Sequence, residues 1–550
     1  MKALFDEARD ALGIPNTIDT ERFPDIVSVI RHSASRYGSR PAFTCLGQTL
    51  SFRDVDRLSD NFAAYLQQTG LQAGDRVAIQ LPNVLQYPVV VFGVLKAGMV
   101  MVNTNPLYTE REMIHQFNDA GAKAVIVLAN NAARLQSVLP ETDIAHVVVT
   151  EIADLHTPLK RLFLNFVVKH VRKMVPSWSI PEALTLRQAL RMGLSCELTP
   201  VSVKSDDLAI LQYTGGTTGV AKGAMLSHRN MVSNMLQVYP QIKMSGITEG
   251  GDLFVAPLPL YHIYAFMLHC MAAFSWGGHS LLIPDPRDTA AFVNSLKKAP
   301  FSVFVGLNTL FVSLMSNDAF RALDFSRLKV SLSGGMALAP SVAKEWQTLT
   351  GSPVLEGYGL TETSPVVTLN PPGHQQEGSI GVPIPATYVK TVNASGEETP
   401  VGEAGELCVQ GPQVMMGYWQ RPEATTEVIR DGWLHTGDVA LIQPDGFLRI
   451  VDRKKDMILV SGFNVYPNEL EAIVMEHPDV LECAAVGMPD EQTGEAVKMF
   501  VVSRNPALDQ SAIRAFCKER MTAYKVPKVV EFRQELPKSN VGKILRKELR

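Results

Sequence analysis

The sequence predicts an α/β protein. A large N-terminal domain of helix-covered, mainly parallel sheets carries a small β-rich module, and a small α+β domain follows. Three observations support this. Short apolar runs at 77–81 (VAIQL), 124–128 (AVIVL) and 146–149 (HVVV) are bounded by turn residues and alternate with helix-spaced segments, the texture of a parallel sheet buried on both faces. The same texture returns at 208–211, 301–305 and 328–332. From about Gly402 the pattern changes to strands joined by glycine-containing turns, GELCVQG and DGFLRIVD. After Lys455 a strand (ILVSG), a helix over 467–476, a second strand (ECAAVGM) and a basic terminal segment read as a separate unit, with its boundary near 452–456.

Composition narrows the function. Of 550 residues, 46% are hydrophobic and 19% charged, which excludes a disordered or coiled-coil chain. Lys and Arg total 51 against 55 Asp and Glu, a net charge of −4, so the basic excess of a nucleic-acid binder is missing and no nucleic-acid partner is expected. Cys45, Cys196, Cys270, Cys408, Cys483 and Cys517 form no CxxC pair, arguing against a zinc knuckle or disulfide framework and for a reducing, cytoplasmic setting. The acidic amino terminus does not read as a signal peptide.

Two segments bear on membranes. Residues 253–284 lack Asp, Glu, Lys and Arg, but Pro257, Pro259, His262, His269 and a Gly277-Gly278-His279 turn interrupt them. A buried strand-loop-helix is expected there, not a span. In 159–178, Leu159, Phe163, Phe166, Val167, Val171, Met174, Val175 and Trp178 recur at helical spacing, with Lys160, Lys169, Arg172 and Lys173 largely off that stripe. Two readings stand: a helix packed on its own domain, or one resting on the inner face of an anionic membrane.

The richest chemistry follows the apolar strand at 208–211. There Tyr213, Thr214, Gly215, Gly216, Thr217, Thr218, Gly219, Val220, Ala221, Lys222, Gly223 and Ala224 form a segment dense in glycine and threonine, with one lysine. Glycines let backbone N–H groups approach a polyanion, hydroxyls donate, and Lys222 adds positive charge, so a phosphate-gripping loop is expected. The segment is neither a P-loop nor GxGxxG.

YTGGTTGVAKG resembles the phosphate loop of the adenylate-forming enzymes, which include acyl-CoA synthetases, luciferase and nonribosomal adenylation domains. Further segments resemble the family's other motifs in order: Ser333-Gly334-Gly335, then EGYGLTET at 356–363, GWLHTGD at 432–438, DRKKD at 452–456 and PKSNVGKI at 537–544. The resemblance implies an AMP-binding domain over 1–452 with a barrel-like module, a hinge at 453–456 and a mobile C-terminal domain over 457–550.

It also implies roles. Joining a carboxylate to ATP brings anions together, so phosphate charge must be neutralised while the α-phosphorus stays open. Glu362 would hold Mg²⁺, and Thr361 would donate to the α-phosphate. Tyr358 would lie against adenine, beside Glu356, Gly357 and Gly359, with Gly334 and Gly335 nearby. Asp438 would accept the ribose hydroxyls and Arg453 would add a contact. Lys543 would reach the substrate carboxylate, Lys455 would be the hinge, and Gly462 would line the path for CoA. Tyr261, His262, Phe266 and Gly306 would form the acyl pocket. The expected activity is ATP-dependent ligation of a long-chain fatty acid to CoA through acyl-AMP, in a monomer or homodimer. A medium-chain or aryl acid is the alternative. An acyl hydrolase would need a GxSxG elbow that is missing. A nonenzymatic lipid-binding surface protein would leave the nucleotide motifs unexplained.

Overall fold

The apolar runs are central strands in the computed structural model, which describes residues 1–214, 221–539 and 544–550. Arg76–Gln80, Val100–Asn103, Ala122–Leu128 and His146–Thr150 pair in parallel. They belong to a sheet that Leu208–Thr214 extends on one side, followed by the antiparallel strands Lys222–Ser227 and Gly417–Tyr418. A second sheet has the parallel strands His279–Leu282, Leu253–Ala256, Val303–Gly306, Val330–Gly334 and Val354–Gly359 at its centre. Every residue of the helix Gln86–Lys96 is buried, and it shares one core with residues of both sheets; its Phe92 ring lies 5.0 Å from that of Phe274.

The charge-free stretch 253–284 becomes a strand, a buried helix over 263–273 and a second strand, with no span. Among the described residues no helix is long and apolar enough to cross a membrane. The third sheet starts earlier than its glycine-rich turns suggest, at Tyr388–Val392, whose neighbour in the sheet is Ala404–Gln410. Phe5, from the helix Lys2–Ala11, is fully buried in this module's core.

Sheet membership changes between Arg453, which ends a strand of the third sheet, and Ile458, which starts one of the fourth. The fourth sheet has its own core around Leu470, Val501 and Ile513. Arg546 ties the last turn to this junction, pairing with Glu471 at 2.7 Å and Asp456 at 3.5 Å.

The amphipathic segment is shorter than its periodicity implies. Helix runs over Pro158–Phe166 and continues through Val167–Val171. Lys173 then takes a left-handed backbone (φ 52°) and Pro176 follows, so the stripe cannot continue. Val175 and Trp178 pack back against the first sheet's core, whereas Leu159, Leu162, Phe163, Phe166, Val171 and Met174 stay exposed.

Candidate active site

Parallel strands leave a crevice beyond their carboxyl ends, and this is where the motif residues gather. Gly334 ends its strand opposite Gly357 of the next. Gly335 turns the chain away with φ +84°, and a Cβ on Gly359 would lie 1.9 Å from the Pro365 carbonyl oxygen, so both positions favour glycine. Thr361 and Glu362 follow in a short turn of helix. Tyr358 Oη donates to Asp438 Oδ2 at 2.6 Å, and Arg453 Nε lies 3.3 Å from Asp438 Oδ1. The antiparallel register places Asp438 opposite Arg453. Burial, then the Asp438 charge, raises the Tyr358 phenol well above its ordinary range, so it stays neutral and donates.

The phosphate-loop segment is flanked by two paired strands, with Thr214 opposite Lys222 and Tyr213 opposite Gly223. Ala224 is buried in the second strand. Tyr213 Oη donates to Asp119 Oδ2 at 2.7 Å. Gly215, Gly216, Thr217, Thr218, Gly219 and Val220 lie outside the described residues, as does Lys543.

Two residues enter that no motif flagged. Tyr418 Oη donates to Glu362 Oε1 at 2.7 Å, and Lys222 Nζ stands 5.2 Å from the Tyr418 ring centroid, so one aromatic links the candidate metal ligand to the phosphate-loop lysine. Asp119 accepts from Tyr213 and pairs with Arg421 at 2.5 Å. A tyrosine between Gly417 and Trp419, or an acid at a helix end, reads from sequence as packing or capping. Only the strand pairing of Gly417–Tyr418 with Lys222–Ser227 shows otherwise.

A largely apolar cavity continues from this crevice. Gly334, Gly335, Tyr358, Gly359 and Thr361 line its mouth. Val330 and Leu355, near the starts of the same strands, line its far end with Ile247. Lys329 donates to the Gly246 carbonyl at 2.9 Å, which fixes that end against the turn after the helix His228–Met244. Four residue rises separate Val330 from Gly334, so the lining spans about 13 Å along this strand.

His262 lines the cavity, and its Nδ1 accepts from the Tyr264 N–H at 3.4 Å. Tyr261, Phe266 and Gly306 do not line it. Phe266 is fully buried in the main core, where an aromatic of that size is held by packing. Glu356 points off the cavity side of its strand and accepts from the Leu338 N–H at 3.3 Å; burial pushes its carboxyl up to about 7. Lys455 and Gly462 sit at and beyond the junction, away from the cavity lining, and Gly462 has φ +83°.

A family model described as AMP-binding enzyme matches residues 30–419, and one described as AMP-binding enzyme C-terminal domain matches 469–543. The chain belongs to the AMP-binding enzyme family. As a member of that family it is 53% identical, over 539 residues, to a long-chain-fatty-acid–CoA ligase of Salmonella typhimurium, covering 98% of this chain and 96% of that one. A protein of the same name from Haemophilus influenzae is 47% identical, again over 98% and 96%. Among solved structures, ATP-bound MatB from Rhodopseudomonas palustris superposes with a TM-score of 0.83 at 27% identity, covering 96% of this chain and 98% of that one.

Proposed function

We propose that this AMP-binding enzyme is a long-chain fatty acid:CoA ligase. The observation that carries the reading is the cavity, whose polar mouth is built from the nucleotide motifs and whose remainder is largely apolar. The near full-length likeness to ligases of that name supports it.

In the first half-reaction the fatty acid carboxylate oxygen attacks the α-phosphorus of ATP, forming acyl-AMP and releasing pyrophosphate. Thr361 would donate to the α-phosphate, Asp438 would receive the ribose hydroxyls, and Tyr358, held by Asp438, would flank the base. Lys222, the loop 215–220 and Lys543 would offset phosphate and carboxylate charge as it gathers in the transition state. In the second, the CoA thiolate attacks the acyl carbonyl and AMP leaves; the mixed anhydride supplies the leaving group that a carboxylate lacks. Rotation of 457–550 about 453–456, centred on Lys455, would exchange Lys543 for the backbone around Gly462 between the two steps.

Mg²⁺ suits this site. Among the described residues no three His, Cys, Asp or Glu side chains converge. Glu362 would hold the ion as one hard carboxylate beside nucleotide oxygens, the mode this ion favours. When bound, the ion would neutralise phosphate charge.

The test is acid-dependent pyrophosphate release and CoA thioester formation with straight-chain acids from butanoic to eicosanoic, plus aryl acids. Long straight chains are expected to lead; a preference for aryl acids would favour the alternative.

We also propose a peripheral contact with anionic membrane. Leu159, which is 81% exposed, stands with Phe163 and Phe166 on an apolar face of Pro158–Phe166, and among the described residues Lys169, Arg172 and Lys173 form no ion pair. Apolar area plus basic charge suits a headgroup boundary. Salt-sensitive cosedimentation with anionic vesicles is expected, and it should weaken when Lys169, Arg172 and Lys173 are changed together to Glu. Undiminished sedimentation of that variant would contradict the contact.

A further inference from the structure

The apolar part of the cavity contains one misfit. On the helix His228–Met244 and its end, Val238, Gln241, Ile242 and Ser245 line the cavity at spacings of three, four and seven residues, so they share one helical face. Gln241 is 1% exposed, and among the described residues neither its Nε2 nor its Oε1 has a hydrogen-bond partner. An apolar residue of similar volume would satisfy a wall meant only for alkyl chain. A buried primary amide without a partner is destabilising, so its presence calls for something that enters the cavity to pair with it.

The chemistry of the wall narrows what that is. Gln241 lies about one helical turn before Ser245, near the turn that closes the far end, so it would meet the distal part of a bound chain. Its amide offers one acceptor and a pair of donor hydrogens. A hydroxyl, which both donates and accepts, matches that pair. A second carboxylate does not, because among the described residues no Lys or Arg lines the cavity to compensate its charge. The Ser245 hydroxyl donates to the Gln241 backbone carbonyl at 2.8 Å, so its proton is already engaged while its oxygen can still accept.

We infer that Gln241 is a specificity-determining residue that hydrogen-bonds a hydroxyl on the distal half of the acyl chain, making long-chain hydroxy acids a substrate class of this enzyme. The inference rests on the cavity being the acyl site.

The test compares kcat/KM for thioester formation with a plain long-chain acid, a distal hydroxy acid, a 2-hydroxy acid and an ω-dicarboxylic acid of equal length, in wild type, Gln241→Leu and Gln241→Met. Wild type is expected to accept the distal hydroxy acid and to reject the dicarboxylic acid. Both variants should lower the ratio of distal hydroxy acid to plain acid by about tenfold or more, leaving the ratio for the 2-hydroxy acid in place. Gln241→Met retains an unbranched side chain if Gln241→Leu packs poorly. If KM for plain and hydroxy acids moves together, the hydroxyl contact is wrong while the acyl cavity stands. If neither KM moves in a folded variant, the chain does not reach Gln241 and the acyl reading of the cavity fails with it.

Discussion

The two ends of the cavity are built on different principles. At the mouth, each position answers to a chemical demand: glycine at 335 and 359 for backbone geometry, a tyrosine held by Asp438, and a carboxylate at 362 held by Tyr418. Thirteen ångströms away, on about the scale of four strand residues, the wall is Ile242, Ile247, Val330 and Leu355, positions that ask only for apolar volume. One end is specified by chemistry and the other, Gln241 apart, by shape. Substitutions at the mouth should therefore act on the reaction itself, and substitutions at the far wall on the choice of acid.

The largest expected effect is at the mouth. Glu362→Ala should lower acyl-AMP formation by about a thousandfold while the folded state persists, as ATP–pyrophosphate exchange and a melting curve would show. Exchange near the wild-type rate under saturating ATP would remove Glu362 from the metal role. Next, Lys543→Ala should depress adenylation by about a hundredfold and spare conversion of supplied acyl-AMP, whereas Lys455→Pro should do the reverse by stiffening the junction. Equal losses in both half-reactions would contradict the two-position account.

A smaller effect concerns stability. The Glu356 carboxyl, beside the mouth, is raised by burial from 4.5 to about 7. The unfolded chain releases this proton first, so between about pH 4.5 and 7 the native state binds more protons than the unfolded one and stability falls as pH rises. Glu356→Gln should remove that slope, gaining about 3 kcal/mol above pH 7 and little near pH 4. Denaturant midpoints that shift equally at both pH values would refute the buried-acid account.

The same contrast explains what the sequence reveals. The α/β class was legible because buried parallel strands need unbroken apolar runs, and the mouth because phosphate chemistry restricts residue types at fixed spacing. Tyr418 and Asp119 were not legible, since Tyr418 is placed by strand pairing with Ala224 and Asp119 by side-chain contacts with Tyr213 and Arg421, all distant in sequence. Phe266 stood at a plausible spacing from His262, yet periodicity cannot tell a cavity wall from a core, and it lies in the core. The helix at 158–171 kept its apolar face but lost Trp178 to the adjacent core, because a left-handed residue and a proline end the stripe. Gln241 was invisible for a simpler reason: a glutamine in a helix reads as surface until its burial is seen.

The central claim is that the apolar far end holds the acyl chain, and filling it midway tests this most directly. Leu332 stands on the strand between Val330 and Gly334 and faces the cavity. Thioester formation by Leu332→Trp should be measured across straight-chain acids from butanoic to eicosanoic. The account predicts that the longest acids lose about a hundredfold in kcat/KM while butanoic acid changes by no more than about threefold. A chain-length profile parallel to wild type would contradict it.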